Sequence, residues 1–521
     1  MDLYDYVIVG GGTAGAILAA RLSEDPAVTV ALVEWGPSDE REDRALQLCR
    51  YPEMLGGEYD LSYPCVPSPG GNADHRLARG RILGGTSSIN NMGLLPPIPA
   101  DLAAWAELGV TGWDYADFAA YRDRLAVRAA RPTQEQRNQC LDDALAAAVE
   151  GLSIPVLDAW PSETIREGAG YLDLGYDPET GRRSSSSVAY LHDILATRPN
   201  LHPLLESRVV AIELANRRAV GARAVRADRT ETLIRARLET IVACGAIDTP
   251  RLLMLSGIGP AEHLAAVGID PRVDLPGVGA NLMDHVESLV VLELQRPADG
   301  GWPPEVDGAA FVARVDDDAI APQVMAHLFR FAPDESYAGA RGDGAELPEH
   351  TLAITPNVAR PSSRGTVRLA SADPDQLPIV DFRYFSDTDG HDRRTILAGI
   401  RMARRVAATA PLTDWVVREV FPGPHLQTDD ELFKRIHATH GSVCHAAGTC
   451  RMGGDDDPLA VLDSRLRVRE VHGLRVVDAS AFPVLTTFNP MITVMMLAEH
   501  AATLIVQDRA TTELALAAVT P

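Results

Sequence analysis

The chain has 521 residues, of which 46% are hydrophobic and 23% are charged, and its formal net charge at pH 7 is -24. This length and composition are typical of a globular enzyme with more than one domain. The acidic excess argues against nucleic acid and anionic membrane surfaces as partners, because both would repel the protein.

The cysteine content and the hydrophobic pattern predict a location. Six cysteines are scattered over the chain without a CxxC pair. So few cysteines in so long a chain do not indicate a disulfide framework, and we therefore expect a reducing cytoplasm. No apolar run approaches the roughly 18 residues that span a bilayer, and nothing ahead of the first strand has the pattern of a signal peptide.

The first 34 residues follow the pattern of a dinucleotide-binding unit. An apolar strand over residues 4–9 precedes the glycine-rich sequence GGGTAG at 10–15, a helical run over 16–22, and a second strand over 28–33 that ends at Glu34. Gly10 permits the tight turn, Gly12 lets a pyrophosphate approach the backbone, and Gly15 lets the helix pack closely on the sheet. Glu34 is placed to accept hydrogen bonds from the adenosine ribose. The motif does not separate NAD from FAD.

Four later stretches complete the pattern. Residues 79–92 (RGRILGGTSSINNM) are rich in glycine and hydroxyl groups, and residues 245–260 predict a turn, a helix and a glycine stop. Residues 277–285 read GVGANLMDH, and residues 444–453 read CHAAGTCRMG, followed by Phe488-Asn489-Pro490.

In this order the stretches resemble the glucose–methanol–choline (GMC) family of FAD-dependent oxidoreductases. The resemblance extends over residues 4–505 and is greatest to the choline oxidase branch, at residues 46–51, 355–358, 363–369, 384–387 and 489–496. It implies FAD as the cofactor.

The resemblance implies an α/β fold built from discontinuous segments. A Rossmann-like FAD-binding domain would comprise residues 1–155, 192–286 and 443–521. The substrate-binding domain would comprise residues 156–191 and 287–442 and contain an antiparallel sheet over the flavin, to which the alternating segment 366–369 is expected to belong. Residues 332–348 are rich in Gly, Ala, Pro and acids and are typical of a surface loop, with a lid as one interpretation.

Two residues carry the chemistry that the resemblance implies. His445 matches the family's catalytic histidine, which takes the hydroxyl proton while the carbon hydrogen leaves as hydride to flavin N5. Asn489 matches a position held by histidine or asparagine, where the amide donates a hydrogen bond to the developing alkoxide. The alternatives are a core histidine beside a glycine turn and an ordinary loop asparagine before proline.

Further residues are assigned to the cofactor by motif. Besides the catalytic Asn489, they are Gly10, Gly12, Thr13, Ala14, Gly15, Glu34, Arg81, Gly84, Gly85, Asn90, Asn91, Met92, Val209, Asp478 and Ala479. No metal is predicted, because the spacing of His437, His440 and His445 matches no zinc pattern. His437 and His440 are expected at a helix end and in the loop that follows.

Departures from the choline oxidase branch concern the substrate and the flavin linkage. Ile89 stands where that branch has a histidine bonded to the flavin, so non-covalent FAD is predicted. The pocket would contain Tyr51, Asn91, Val443 and Cys444, three of which differ from the branch and argue against choline itself. Glu305 or Asp307 is a candidate acid for binding a quaternary ammonium group.

The sequence thus predicts an enzyme that oxidises a primary alcohol to an aldehyde with FAD. O2 is the expected electron acceptor, with hydrogen peroxide as product. The alternatives are a dehydrogenase with a non-oxygen acceptor and a hydroxynitrile lyase-type enzyme on the same fold. The expected partners are a small alcohol and the acceptor, with neither nucleic acid nor membrane, and a monomer or homodimer is expected.

Overall fold

The computed structural model describes residues 3–158, 160, 165–303, 306–330 and 347–519. Two large sheets dominate this part of the chain, and each has a hydrophobic core of its own. The α/β fold class, with a Rossmann-like sheet and an antiparallel sheet, is therefore confirmed.

The first sheet has seven strands and combines a parallel and an antiparallel part. The parallel part contains continuous apolar runs, as parallel sheets covered on both faces require. In the first of them, each residue from Tyr6 to Val9 is at most 2% exposed. Antiparallel pairing connects the last three strands of the order. That order is Leu201–Leu204, Val30–Val33, Leu3–Val9, Glu231–Val242, Arg218–Arg226 and Ser207–Ala215, with Leu474–Val476 also paired to Glu231–Val242.

The second sheet has eight strands, and all its pairs are antiparallel. Its order is Val416–Phe421, Val290–Leu294, Thr351–Val358, Val324–Phe329, Ala309–Ala313 and Gly168–Tyr171. The short strand Val286–Glu287 joins Thr351–Val358 to Gly441–Ser442. Apart from Val286, which ends a segment predicted for the FAD-binding domain, the strands of the two sheets lie in the segments expected of the two domains. The domain boundaries stay a prediction.

Helices cover both sheets. Thr13–Leu22 and Met491–Val519 pack against each other over the first sheet, whereas Gln139–Leu152 and His391–Ala407 pack on the second. His391–Ala407 buries an apolar stripe at helical spacing, as a one-sided helix must. The other helices are Asp43–Leu46, Pro99–Glu107, Tyr115–Ala119, Ser186–Tyr190, His192–Leu195, Gly245–Leu255, Ala261–Ala266 and Asp429–Thr439.

Three two-stranded sheets complete the described fold. They pair Tyr63–Pro64 with Arg76–Leu77, Ile258–Gly259 with Val273–Asp274, and Thr366–Arg368 with Ile379–Asp381. The expectation that residues 366–369 join the large antiparallel sheet is therefore wrong. The physical reason is that the backbone of this segment bonds instead to Gly279 on one side, through the Val367 N–H, and to Ile379–Asp381 on the other.

The histidines at the end of the helix Asp429–Thr439 lie where the sequence predicts them. His437 lies in the helix Asp429–Thr439 and His440 directly follows it, as predicted. Residues 331–346, which hold nearly all of the expected surface loop, and Glu305 lie outside the described residues. Among the described residues, no helix is long and apolar enough to cross a membrane.

Candidate active site

A cavity of about 1180 Å³ lies between the two large sheets. On one side are the carboxyl ends of the parallel strands, where Gly10, Glu34, Ala243 and Asp478 follow their strands, and on the other is the second sheet. Ligands of open parallel sheets bind at this edge. The volume exceeds that of most small-molecule pockets and is sufficient for a dinucleotide together with a substrate.

Most residues assigned from the sequence line this cavity. Of the assigned cofactor residues these are Gly10, Gly12, Thr13, Ala14, Glu34, Arg81, Gly85, Asn90, Asn91, Met92, Val209, Asp478, Ala479 and Asn489. His445 and the expected pocket residues Tyr51, Val443 and Cys444 line it too. Gly15 and Gly84 do not line the cavity: Gly15 packs against the Gly10 carbonyl, and Gly84 adopts φ +85° beside the Ser187 side chain.

The glycines of the first turn are required by close backbone approaches. A Cβ on Gly10, whose φ is +101°, would lie 2.5 Å from the Ala243 carbonyl oxygen, and one on Gly15 would lie 1.8 Å from the Gly10 oxygen. Only glycine therefore lets the helix Thr13–Leu22 begin so close to the sheet. The N-terminus of that helix lies at the cavity, where unsatisfied N–H groups favour phosphate.

Glu34 is held at the end of its strand by two backbone donors. Its carboxylate accepts hydrogen bonds from the Gly11 N–H at 2.7 Å and the Gly36 N–H at 2.8 Å. Burial raises the pKa of Glu34 to about 7, although these donors oppose the rise. Ribose hydroxyl groups would add further donors and so favour the ionised carboxylate.

The segment 84–92 forms the second wall of the cavity. Gly85 has φ +56°, and a Cβ there would lie 2.7 Å from the Gly12 Cα, so the two glycine turns touch. The Asn90 side chain accepts a hydrogen bond from the Met92 N–H at 3.0 Å, which fixes the turn at Met92. Arg81 places its guanidinium 5.4 Å from the centre of the Trp35 ring. This wall therefore lies directly against the first glycine turn.

Asp478 follows the strand Leu474–Val476 and hydrogen-bonds to the residues that follow the neighbouring strand Glu231–Val242. Its Oδ2 accepts hydrogen bonds from the Gly245 N–H at 2.9 Å and the Thr249 hydroxyl at 2.6 Å, and its Oδ1 accepts one from the Ser480 N–H at 2.8 Å. Burial raises the pKa of this carboxyl, and the hydrogen bonds oppose that shift. Asp478 therefore bonds the first turn of the helix Gly245–Leu255 and caps the short turn Ala479–Ala481, and it also lines the cavity.

His445 is seated by a buried carboxylate that the sequence analysis did not single out. Asp284 accepts a hydrogen bond from the His445 backbone N–H at 2.7 Å, from the Tyr384 hydroxyl at 2.5 Å, and from the Ser442 hydroxyl. Cys444, directly before the histidine, has φ +63°, a strained value for a residue with a side chain. The Asp284 contacts hold this turn in place.

The imidazole of His445 contacts a second histidine. Its Nδ1 lies 2.8 Å from Nδ1 of His285, whose Nε2 lies 3.1 Å from the Thr486 carbonyl oxygen. Burial, and then the neighbouring His285, His327 and Arg79, lower the pKa of His445 well below its usual value. His445 is therefore an uncharged imidazole at neutral pH, as a base must be.

Asn489 presents its amide to the same space. A methyl group placed on Gly93 would lie 3.4 Å from the Asn489 Nδ2 and 3.7 Å from the Asn91 Oδ1, so both side chains converge beside Gly93. The described residues offer the Asn489 side chain no hydrogen-bond partner within the protein, and the residue is part-exposed to the cavity. Its N–H groups are available to a ligand.

The second sheet contributes polar residues that the sequence analysis missed. Glu287 and His327 are each 7% exposed and line the cavity with Phe329. For Phe329 the signal was the period of two in strands, since it lies two residues after His327 on the strand Val324–Phe329. Asp307, one of the two candidate cation partners, is instead paired with Arg330 at 2.6 Å and does not line the cavity, whereas the other candidate, Glu305, lies outside the described residues.

Comparison with known proteins identifies the family. Residues 4–287 match the amino-terminal profile and residues 361–498 the carboxyl-terminal profile of the GMC oxidoreductases. The chain belongs to this family. This GMC oxidoreductase is 41% identical to choline oxidase of Arthrobacter globiformis, in an alignment covering 97% of this chain and 95% of that relative.

Other relatives agree with this assignment. Oxygen-dependent choline dehydrogenase of Brucella ovis is 34% identical, with 93% of this chain and 92% of that relative covered. The crystal structure of pyridoxine 4-oxidase from Mesorbium loti has a TM-score of 0.87 and 28% identity, covering 96% of this chain and 98% of that chain. The protein is an FAD-dependent alcohol oxidoreductase, and the glycine cradle, Glu34 and the cavity volume fit FAD.

Proposed function

We propose that His445 and Asn489 carry out the oxidation of a primary alcohol to an aldehyde in this cavity. The observation that carries the proposal is that both side chains face the space that the dinucleotide cradle borders. FAD, when bound, supplies the acceptor for the hydride that leaves the substrate carbon. His445 takes the hydroxyl proton on its free ring nitrogen, and Asn489 donates a hydrogen bond to the substrate oxygen as negative charge develops there.

The protonation state of His445 supports its role as a base. Because its pKa is lowered, the unprotonated form is populated at neutral pH and persists to a pH well below the usual histidine value of 6.5. The cost of burying an imidazolium also favours returning the proton once oxidation is complete.

We also propose that the FAD is held without a covalent bond. Ile89 is 1% exposed and has no nucleophilic atom, and it stands where the choline oxidase branch has a histidine bonded to flavin. Acid precipitation of the purified enzyme is expected to release all of the yellow colour into the supernatant. A yellow pellet would contradict the proposal.

We further propose that oxygen is the final electron acceptor, giving hydrogen peroxide. Two curated relatives are named as an oxidase and an oxygen-dependent dehydrogenase, and pyridoxine 4-oxidase shares the fold. The apolar Val443 lines the cavity two residues before His445 and keeps that part of the wall free of charge.

The proposed substrate is a primary alcohol that carries a cationic nitrogen. Glu287 supplies a carboxylate to the same cavity as His445, and His327 beside it on the second sheet is uncharged because burial lowers its pKa to about 4. The relatives named for choline are consistent with a cationic substrate. The departures at Tyr51, Asn91 and Cys444 argue that it is not choline itself.

Anaerobic mixing with candidate alcohols tests the proposal directly. His445→Ala is expected to slow flavin reduction by at least about 100-fold, the scale of a lost general base, with full FAD content. Asn489→Ala should lower the limiting rate constant more than it weakens substrate binding, because its bond strengthens as charge develops. A near-normal rate in His445→Ala would remove the residue from its role, and re-oxidation in air with peroxide formed identifies the acceptor.

A further inference from the structure

We infer that His285 is a positioning residue that fixes the tautomer of His445, so that the Nε2 lone pair of His445 faces the substrate. The inference rests on the proposed function and deepens it. His285 and His445 are 160 residues apart in the sequence, and their side chains are in contact in the fold.

The argument begins at the Thr486 carbonyl oxygen. This oxygen only accepts hydrogen bonds, and it lies 3.1 Å from the His285 Nε2. The His285 nitrogen there must therefore carry a proton. A neutral imidazole has one N–H, so the other nitrogen, Nδ1, has a lone pair.

His285 is held in this neutral form. The side chain is 2% exposed, and burial lowers its pKa to about 4, against the opposing effect of the Thr486 and Ala359 backbone. At neutral pH it thus presents a donor to Thr486 and an acceptor to His445.

The tautomer of His445 follows from that acceptor. Its Nδ1 lies 2.8 Å from the His285 Nδ1 and must supply the proton of this hydrogen bond. The lone pair of neutral His445 is then on Nε2, for which the described residues offer no hydrogen-bond partner within the protein. This is the nitrogen that can accept the hydroxyl proton of a substrate in the cavity.

The same contact serves the protonated state. When His445 takes up the proton, its Nδ1–H donates to a lone pair on His285, and a hydrogen bond from a charged donor is stronger than a neutral one. His327 and Arg79 are the other groups whose charge lowers the pKa of the ring, and among the described contacts neither hydrogen-bonds to it, while Asp284 accepts from the His445 backbone and not from the ring. The lone pair of His285 is therefore the protein acceptor for the imidazolium.

The loop from Thr486 to Asn489 holds both the carbonyl that fixes the tautomer of His285 and the amide that donates to the substrate oxygen. Thr486 and Asn489 are three residues apart, and Asp101 anchors the segment between them by accepting hydrogen bonds from the Thr487 N–H at 3.0 Å and its hydroxyl at 2.6 Å. Arg360 completes this buried group through a bond to Asp101 at 3.0 Å.

Two substitutions at position 285 separate positioning from packing. His285→Leu keeps bulk but removes the acceptor, so His445 can adopt the tautomer with Nε2 protonated. His285→Gln offers an oxygen to His445 and an N–H to Thr486, which is the donor–acceptor pair of the neutral imidazole. The readouts are anaerobic flavin reduction, substrate dissociation constant, FAD content and thermal denaturation midpoint.

The expected result is a lower limiting reduction rate in His285→Leu, by at least about 10-fold, as is usual when a group that orients a functional histidine is lost. The substrate dissociation constant should stay near that of the wild type, and His285→Gln should recover most of the rate. In a His445→Ala background, His285→Leu should cause no further loss, because His285 acts only through His445.

A wild-type rate in His285→Leu, together with a slow His445→Ala, would overturn this inference alone. Equal loss in His285→Leu and His285→Gln would overturn it too, since packing would then be the cause. A wild-type rate in His445→Ala would overturn the proposed function and this inference together.

Discussion

Glu287 lies on a two-residue strand immediately beyond the histidine that contacts His445. In this strand Glu287 pairs with Asn357 on one side and with Gly441 on the other. Gly441 begins the strand that leads to the turn before His445. A carboxylate so placed can attract a cationic group while the hydroxyl end of the same molecule lies near the base. The net charge of -24 would steer such a molecule towards the protein as a whole.

Glu287→Gln tests this at the residue scale. The change keeps the shape but removes the charge, and we expect weaker binding of cationic alcohols by on the order of 10-fold, or ~1.4 kcal/mol. Binding of neutral alcohols of similar size, measured by the same anaerobic titration, serves as the control and should not change. An equal loss for neutral and cationic alcohols would exclude Glu287 as the cation partner.

The helix Thr13–Leu22 shows how one element serves both packing and binding. Gly15 packs against the end of the first strand, where an added Cβ would lie 1.8 Å from the Gly10 carbonyl oxygen. Gly12 faces the cavity, and a Cβ added there would lie 3.7 Å from its nearest neighbour, the Gly85 Cα. The two glycines of one motif therefore have separable physical functions.

Alanine at each position is expected to give different defects. Gly15→Ala should destabilise the apoprotein by about 1–3 kcal/mol or more, as overpacking does. Gly12→Ala should change apoprotein stability by no more than about 1 kcal/mol, the scale of an N-cap effect, yet weaken FAD binding because the methyl group projects into the cavity. Thermal denaturation after FAD removal and FAD titration measure the two effects, and equal destabilisation would contradict the distinction.

For the whole molecule, buried histidines couple stability to pH. His75 and His440 lie in an aromatic cluster with Tyr384 and Phe385, and both ring nitrogens of His440 are buried without a hydrogen bond. Burial lowers the pKa of His440 to about 3. Because its unfolded pKa is about 6.5, the unfolded chain binds the proton first, and stability is lost as the pH falls below 6.5.

His440→Phe should relieve this loss while keeping an aromatic ring. We expect its stability relative to the wild type to increase by about 2 kcal/mol between pH 7 and pH 5, since the difference is ~1.4 kcal/mol per pH unit below 6.5. Denaturation midpoints at the two pH values measure it, with the exposed His425→Gln as the control. A pH-independent difference would show that His440 is not titrating on unfolding.

Local spacing explains which elements could be predicted. The strands near residues 4–9 and 28–33 and the helix after Gly245 were predicted close to their observed bounds, because each is a short apolar run bounded by glycine or an acid. Residues 366–369 were assigned to the wrong sheet, because strand propensity does not determine which strand a segment pairs with.

The sequence by itself determined the family, the cofactor cradle and the candidate pair His445 and Asn489, because each rests on residues close together in the chain. Only the tertiary structure decided which residues surround that pair. Asp284, His285 and Glu287 reach it because a short strand at the end of one segment pairs with the strand Gly441–Ser442, which starts the turn before His445. Contacts between residues about 160 positions apart leave no local pattern. Burial of the ring, together with these contacts, determines the charge state of His445, and the contacts determine the tautomer that we infer for it.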